Sequence, residues 1–136
     1  MLRDSYHNIE IRRAISPTAL SNDTALVSQI IDMQGSKSLT FAICFDTLSD
    51  SNATFTVLIE DGDNSALSDN AAVADADLLG TEAAASFQYD DDNEVRKIGY
   101  KGNKRYVRMT ITPSGNTGTG NIGAVAILEP LILPAS

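Results

Sequence analysis

The chain has 136 residues, of which 43% are hydrophobic and 21% are charged, and its formal net charge at pH 7 is −8. This length predicts one domain with a core of its own, and the acidic balance argues against nucleic acid as a main partner, because a surface that follows phosphates needs net positive charge. No segment is apolar over the length that a signal peptide or a membrane span requires, so we expect a soluble chain with no membrane partner.

Eight short segments have the composition of β-strands, and clusters of Gly, Pro, Asn, Asp and Ser separate them. The first is ended by Ser16-Pro17. The predicted strands are residues 9–15, 24–31, 37–45, 53–60, 86–89, 94–100, 104–112 and 121–133. The last contains Glu129-Pro130, and proline is disfavoured inside a sheet, so this strand should be bulged, lie at an edge or end there.

Residues 61–79 form a long loop rich in Asp, Asn, Ser and Ala. Their composition predicts at most a short helical turn near residues 69–74, with Leu78 and Leu79 anchoring the loop to the domain. Residues 82–85 should lead directly into the next strand, and residues 90–93 should form a turn. Residues 1–8 are predicted to be a polar N-terminal arm.

The strand count and the lack of an amphipathic helix predict an all-β fold. The most suitable architecture is a single β-sandwich of jelly-roll type over residues 1–136, with about eight antiparallel strands. The lone cysteine, Cys44, lies in an apolar run and is predicted to be a small buried side chain.

Residues 104–112 alternate cleanly, with Arg105, Val107, Met109 and Ile111 on one face. Arg105 is out of place in that set, so we expect it either to pair with an acidic residue at the rim or to enter a subunit interface.

Charge is strongly segregated along the chain. Residues 60–94 hold eleven of the 18 acidic residues, and six of the ten basic residues lie between Arg96 and Arg108. Two explanations remain open at this stage. The acidic loop and the basic hairpin could balance each other locally, or the molecule could have two oppositely charged ends that dock on copies or neighbours.

Catalytic and metal sites find little support in the sequence. His7 is the only histidine, so we expect neither a Ser-His-Asp triad nor a multi-His metal centre within one chain, and His7 itself is predicted to be a polar surface residue of the arm. The acidic clusters at residues 60–64 and 90–92 suggest Ca²⁺, yet the first lacks the order of ligands of an EF-hand, and solvated turns are the simpler interpretation. We therefore predict no enzyme activity, no metal site and no cofactor.

Several segments resemble one known family. They are VADADLLGTE (73–82), IGYKGNKRYVRMTITPSGNTG (98–118) and IGAVAILEP (122–130), with IIDMQGSKSLTFAICF (30–45) and FTVLIEDGDNS (55–65) before them. Together they resemble small structural proteins encoded in the head-gene module of tailed phages, prophages and gene transfer agents. The resemblance covers roughly residues 25–134, and this chain departs from it after Asp63, where its loop is longer and rich in Ala.

The resemblance implies a virion protein, assembled in the host cytoplasm, that binds the capsid surface as a decoration protein or as the base of a head spike. It implies a jelly-roll homo-oligomer, a trimer or a pentamer, whose partners are the major capsid protein and, in the spike case, a spike or fibre protein. A glycan-binding or fibre-adaptor module, or a head-to-tail connector or tail component, is the alternative. The residues predicted to make the contacts are Arg96, Lys97, Tyr100, Lys101, Lys104, Arg105, Tyr106 and Arg108.

Overall fold

The computed structural model describes residues 4–131, which form two antiparallel β-sheets packed face to face. The strands are β1 (Glu10–Leu20), β2 (Leu26–Val27), β3 (Ile31–Asp32), β4 (Ser36–Phe45), β5 (Thr54–Gly62), β6 (Ala71–Ala72), β7 (Leu78–Leu79), β8 (Phe87–Gln88), β9 (Val95–Tyr100), β10 (Tyr106–Ser114) and β11 (Gly120–Pro130). A short helix, α1 (Glu82–Ala85), and two 3-10 turns, Asp75–Asp77 and Tyr89–Asp91, lie between strands. The prediction of an all-β sandwich is confirmed.

The first sheet has five strands in the order β1-β11-β4-β9-β7. In the second sheet β10 and β5 are central neighbours; β2 and β3 pair with the free edge of β10, while β6 and β8 pair with the free edge of β5. Neighbouring strands are mostly distant in sequence, as crossovers between the sheets of a jelly roll require.

The core lies between the two sheets and is built from alternate residues of the long strands. Fully buried side chains of the first sheet face those of the second, for example Leu39, Phe41 and Ile43 on β4 and Val107, Met109 and Ile111 on β10. This is the alternation predicted for residues 104–112, and it leaves the intervening residues on the outside of each sheet.

Three phenylalanines join the sheets at one end of the core. The ring of Phe87 stacks on Phe45 of the first sheet at 3.9 Å between centroids and on Phe55 of the second at 5.0 Å. Because aromatic rings bury large areas, this stack compensates in part for the absence of tryptophan.

The predicted end of the first strand at Ser16-Pro17 is wrong. The pairing of β1 with β11 continues to Leu20, with register shifts on either side of Ile15. β1 is an edge strand, and a proline at an edge or a bulge removes no ladder hydrogen bond that the sheet needs. Of the alternatives predicted at Glu129-Pro130, the structure shows a register shift between these two residues, and β11 ends at Pro130.

Other boundaries also differ from the predictions. The segment 24–31 contains β2 and then, after a break, the start of β3, rather than one strand. No helical turn forms at residues 69–74, because Ala71 and Ala72 pair with β5 instead. The helical turn of the long loop is the 3-10 turn Asp75–Asp77, directly after the predicted position. α1 follows the loop, and there the side chain of Thr81 caps the helix by accepting a hydrogen bond from the Ala84 N–H at 2.9 Å.

Leu78 and Leu79 do anchor the long loop, since both pair with β9. Leu78 is buried, whereas the side chain of Leu79 lies over Gly99 and stays 51% exposed. Of the predicted arm, residues 1–3 lie outside the described residues, as do residues 132–133 of the predicted last strand. Within residues 4–131 no helix is long and apolar enough to cross a bilayer.

The prediction that Cys44 is buried is wrong. Leu39, Phe41, Ile43 and Phe45 of β4 point into the core, so strand alternation turns Cys44 outward, where it is exposed.

Candidate interaction surface

The basic residues predicted to contact a partner lie on β9, on β10 and in the loop between them. Lys104, in that loop, donates to the Asp63 carboxylate of the acidic loop at 2.9 Å. On β10, Arg108 lies directly across from Glu60 of β5 and donates to it at 3.1 Å. The acidic segment thus supplies counter-ions to the basic hairpin.

Arg105 makes the best-defined of these ion pairs. Its Nε and Nη2 donate to the two carboxylate oxygens of Asp32, both at 2.9 Å, and its guanidinium lies over the Tyr106 ring. The hydrogen bonds from Arg105 lower the pKa of Asp32 from 3.8 to about 2. Of the two outcomes expected for Arg105, the structure shows the pair at the rim.

Arg96 is also paired within the chain. Its guanidinium contacts the carboxylates of Glu94 and Asp91. The same guanidinium lies over the Phe45 ring, with its carbon 5.8 Å from the ring centroid. Hydrogen bonding to Glu94 raises the pKa of Arg96 above its already high ordinary value, so its charge is fixed at every accessible pH.

The prediction that Tyr100 contacts a partner is wrong, because its side chain is completely buried. Its hydroxyl donates to Asp61 at 2.7 Å and accepts from the backbone N–H of Lys104 at 3.1 Å. Burial raises the pKa of Tyr100, so the hydroxyl remains a donor. A Cβ at Gly102 would lie 2.5 Å from the hydroxyl oxygen, so the loop needs glycine there to close around the tyrosine.

Three of the cations among residues 4–131 make no ion pair with a described carboxylate: Arg13, Lys97 and Lys101. Arg13 contacts the side-chain amide of Gln29. Lys97 and Lys101 belong to the predicted contact set, whereas Arg13 does not.

Strand register brings Arg13 and Lys97 to the same surface, the outer face of the first sheet. Arg13 is paired across the strands with Val125, Val125 with Ala42, and Ala42 with Lys97. Directly paired residues point to the same side of a sheet, so the two cations flank two small aliphatic side chains in one row.

The neighbouring rows of this face are apolar as well. On one side lie Ile11, Ile127, Thr40, Gly99 and Leu79; on the other lie Gly123, Cys44 and Val95. Four of its side chains are among the exposed large hydrophobic residues: Ile11 at 59%, Leu79 at 51%, Val95 at 68% and Val125 at 39%. We call these three rows the cationic face, since they contain two cations and no carboxylate.

A groove of about 630 Å³ runs over the cationic face between the bulged part of β1 and the start of β9. Pro17 packs beside Gly123 and forms one wall. Asp46 lies at the rim, but Asn121 occupies its carboxylate through two hydrogen bonds of 2.8 Å. The groove therefore offers a partner an aliphatic floor rather than free carboxylates.

Sequence reasoning missed Arg13, Val95 and Val125 as surface residues that act together. Each has a weak signal, since the residue after it in its own strand is more buried than it is. Only the pairing of four strands places them side by side, and that pairing is not encoded in any one segment.

No described group of three or more His, Cys, Asp or Glu side chains is placed to hold a metal ion. In the acidic turn considered for Ca²⁺, Asp91 accepts from the Gln88 N–H at 2.9 Å and Asp92 from the Leu48 N–H at 2.8 Å. His7 is exposed and pairs with Asp4 of its own turn.

Comparisons with known proteins reveal the fold but no family. No family model matches the chain, and no curated protein does. Among solved structures, the PBSX exported protein XepA aligns with 94% of this chain at 16% identity and a TM-score of 0.60. The second is the xylanase Xyn10B of Clostridium thermocellum, whose structure contains CBM22-1 and GH10 modules and bound xylohexaose. It aligns with 90% of this chain at 12% identity and a TM-score of 0.54.

A chain of infectious bursal disease virus, Gx strain, also aligns with 90% of this chain, at 12% identity and a TM-score of 0.53. This chain spans 39% of the length of XepA, 25% of the Xyn10B chain and 32% of the viral chain. At these identities the likeness establishes the jelly-roll type of β-sandwich.

Proposed function

We propose that the chain is a non-enzymatic structural protein of a phage-type virion, which binds the outside of the capsid as a decoration protein or as the base of a head spike. The observation that carries the proposal is the cationic face, an exposed and largely apolar surface on a sandwich whose other cations are mostly paired. Contiguous apolar surface is unfavourable in water and is typical of sites that bind other proteins.

The virion assignment is supported by the sequence resemblance to head-module proteins of tailed phages. It is also compatible with the occurrence of this fold in infectious bursal disease virus. In the proposed mechanism, several copies bind the major capsid protein around a symmetry axis, as a trimer at a local three-fold or as a pentamer at a vertex. Each contact is weak, and the symmetric arrangement makes attachment durable through effective concentration.

The test is to mix the purified protein with capsids that lack it, then to measure co-sedimentation and to image the particles by electron microscopy. We expect added density at symmetry axes. Val125→Asp should abolish binding, because it places a charge in the middle of the apolar row. Val27→Asp is the matched control, since Val27 is 54% exposed on the second sheet.

Circular dichroism melting must show that both variants are folded. The proposal fails if the wild-type protein neither co-sediments with capsids nor adds density to them. Density at the neck or on the tail would instead support the connector or tail alternative.

A carbohydrate-binding module is the second candidate, favoured by the groove on the sheet face and by the likeness to Xyn10B, whose structure contains xylohexaose. Sugars usually stack on exposed aromatic rings, and the only aromatic residue that lines this groove, Phe45, is buried. A glycan array distinguishes this candidate from capsid binding. Specific binding to a glycan by the wild-type protein, lost in Val125→Asp, would support the carbohydrate-binding module.

A further inference from the structure

The cationic face has an unusual charge for this molecule. The chain has a net charge of −8, yet the three rows of the face contain Arg13 and Lys97 and no acidic side chain. Most other described cations have a carboxylate of the same chain within 4.0 Å, whereas these two have none. A partner that covers the face should therefore supply both aliphatic surface and carboxylates.

A surface of that chemistry lies on the side of the same sandwich, along residues 71–79. This segment leaves β6 at the edge of the second sheet and joins β7 at the edge of the first, so it crosses the side of the molecule. Its exposed side chains are Ala71, Ala72, Ala74, Asp75, Ala76 and Leu79. Asp77 is half-buried, and neither Asp75 nor Asp77 is in an ion pair with a described residue.

We propose that the cationic face of one copy of this chain binds the side segment 71–79 of a second copy, so that copies associate head to tail. Asp75 and Asp77 of one copy would pair with Arg13 and Lys97 of the next. The alanines of the segment are small enough for its backbone to approach the flat row formed by Val125 and Ala42.

A symmetric face-to-face dimer is the less suitable arrangement. A two-fold axis brings the same patch of both copies together, so it would place the Arg13 and Lys97 side chains of one copy against cations of the other. Like charges in contact oppose association, whereas contact between the face and the side segment pairs opposite charges.

The face and the side segment share only Leu79 and are otherwise different surfaces, and such heterologous contacts form a closed ring when the rotation between copies closes. This contact specifies how the copies of the proposed capsid-binding oligomer would associate, and its role in a virion rests on that proposed function. It is tested on the purified chain alone, so failure of self-assembly and failure to bind capsids are separate results.

The experiment measures molar mass by light scattering after size exclusion, at concentrations up to roughly 1 mM so that weak contacts are populated. One variant reverses the face, Arg13→Glu with Lys97→Glu, and the other reverses the segment, Asp75→Lys with Asp77→Lys. Each alone should weaken association about tenfold or more. In the mixture, every contact between a face variant and a segment variant pairs opposite charges, so the two variants should associate with each other although neither associates alone. A ring with an odd number of copies keeps one mismatched contact, so pairs and short alternating chains are the expected products.

Two single reversals at residues outside the three rows and the segment, Lys37→Glu and Asp90→Lys, are the controls and should assemble normally. Circular dichroism melting of every variant shows whether it is folded, and recovery in the mixture can occur only with folded variants. A wild-type protein that is monomeric at every concentration would overturn the inference. So would an oligomer insensitive to both reversals, or a mixture in which the two variants do not associate with each other.

Discussion

The ion pair between Asp32 and Arg105 fixes where the basic strand begins. Simple alternation assigns Arg105 to the same face as Val107 and Met109, and that would place a charge in the core. β10 instead begins at Tyr106, and Arg105 turns to the rim, where it meets the carboxylate of β3. A bidentate pair of this kind defines orientation as well as adding energy.

This pair predicts a pH-dependent contribution to stability. The pKa of Asp32 is lowered from 3.8 to about 2, so the contribution is complete above pH 3.8 and is lost as the pH falls through about 2. Both side chains are more than a third exposed, so we expect only about 0.5–1 kcal/mol at neutral pH after solvent screening. Asp32→Asn should therefore lower the free energy of unfolding by this amount near pH 6.

Urea unfolding of the wild type and of Asp32→Asn across the acid range checks this. The difference should fall as the pH approaches 2, where about half of the folded carboxylate is protonated, and should vanish below that pH. In an Arg105→Gln background the substitution should have little effect at any pH. A difference that persists unchanged at pH 2 would contradict the assignment to this ion pair.

Tyr100 gives a second prediction at the level of one residue. Tyr100→Phe keeps the buried ring and removes the hydroxyl that joins Asp61 to the Lys104 N–H. Leaving both partners without their hydrogen bond should reduce the free energy of unfolding by about 1–3 kcal/mol. Chemical denaturation measures the loss, and Tyr106→Phe is the control, since its ring is half-buried. Equal, small effects in the two variants would show that the Tyr100 hydroxyl contributes little.

At the level of elements, the free edge of β5 shows why the short helix exists. β8 pairs with β5 at Thr54 and Phe55, and β6 pairs at Glu60 and Asp61, which leaves a gap between them. In this gap the Val57 N–H donates to Ser86 Oγ at 3.0 Å and the Ile59 N–H donates to Glu82 Oε2 at 2.7 Å. α1 therefore supplies side-chain acceptors where the sheet lacks a strand.

Glu82→Ala should consequently destabilise the domain, because it leaves the Ile59 N–H without its acceptor. We expect a loss of about 1–3 kcal/mol in the free energy of unfolding, measured by urea titration. Glu82→Gln retains an acceptor oxygen at the same reach and should lose less than half of that. If the two variants are equally destabilised, the carboxylate charge rather than the acceptor is what matters at this edge.

Long strands were predictable from the sequence, and pairings of two residues were not. β4, β5, β10 and β11 each show period-two alternation, which is the direct consequence of burying one side of a strand. β6 and β7 have no such pattern, because a two-residue strand has no period. Cys44 lies in an apolar run whose composition indicates burial, but the alternation of its neighbours along β4 turns its side chain outward.

The candidate surface was predictable only in part, for a related reason. Lys97 was identified because it belongs to a conspicuous basic run, yet Arg96, Lys104, Arg105 and Arg108 of the same group are neutralised by carboxylates distant in sequence. Ion pairing and cross-strand register both depend on tertiary structure. The sequence alone therefore could not distinguish the cations that are neutralised from those that are unpaired.

At the level of the whole molecule, folding brings part of the acidic segment against the basic hairpin that follows it in the chain. The acidic loop lies beside the basic hairpin and pairs with it through Asp63–Lys104 and Glu60–Arg108. Of the two explanations left open by the sequence, local balance is the one these contacts favour for the hairpin. The charge available to a partner lies instead on the cationic face, where Lys97 is joined by Arg13.

Cys44 provides a direct probe of that face, because it is the only cysteine and lies in the groove. In a dilute native sample it should react fully with a maleimide without denaturant, since its side chain is exposed. As the concentration is raised and copies cover the face, the labelling rate should fall in proportion to the fraction of faces that are covered. Mass spectrometry of quenched samples measures the extent of labelling in the dilute protein and the labelling rate at each concentration.

The segment variant with Asp75→Lys and Asp77→Lys supplies the control, because its own face is unchanged while its ability to cover a neighbour is lost. Its Cys44 should stay reactive at all concentrations and become protected only when the face variant with Arg13→Glu and Lys97→Glu is added. Cys44 that resists labelling in the dilute native protein would show that β4 does not turn this side chain outward. Cys44 that stays fully reactive in assembled wild-type protein would place the contact between copies elsewhere on the sandwich.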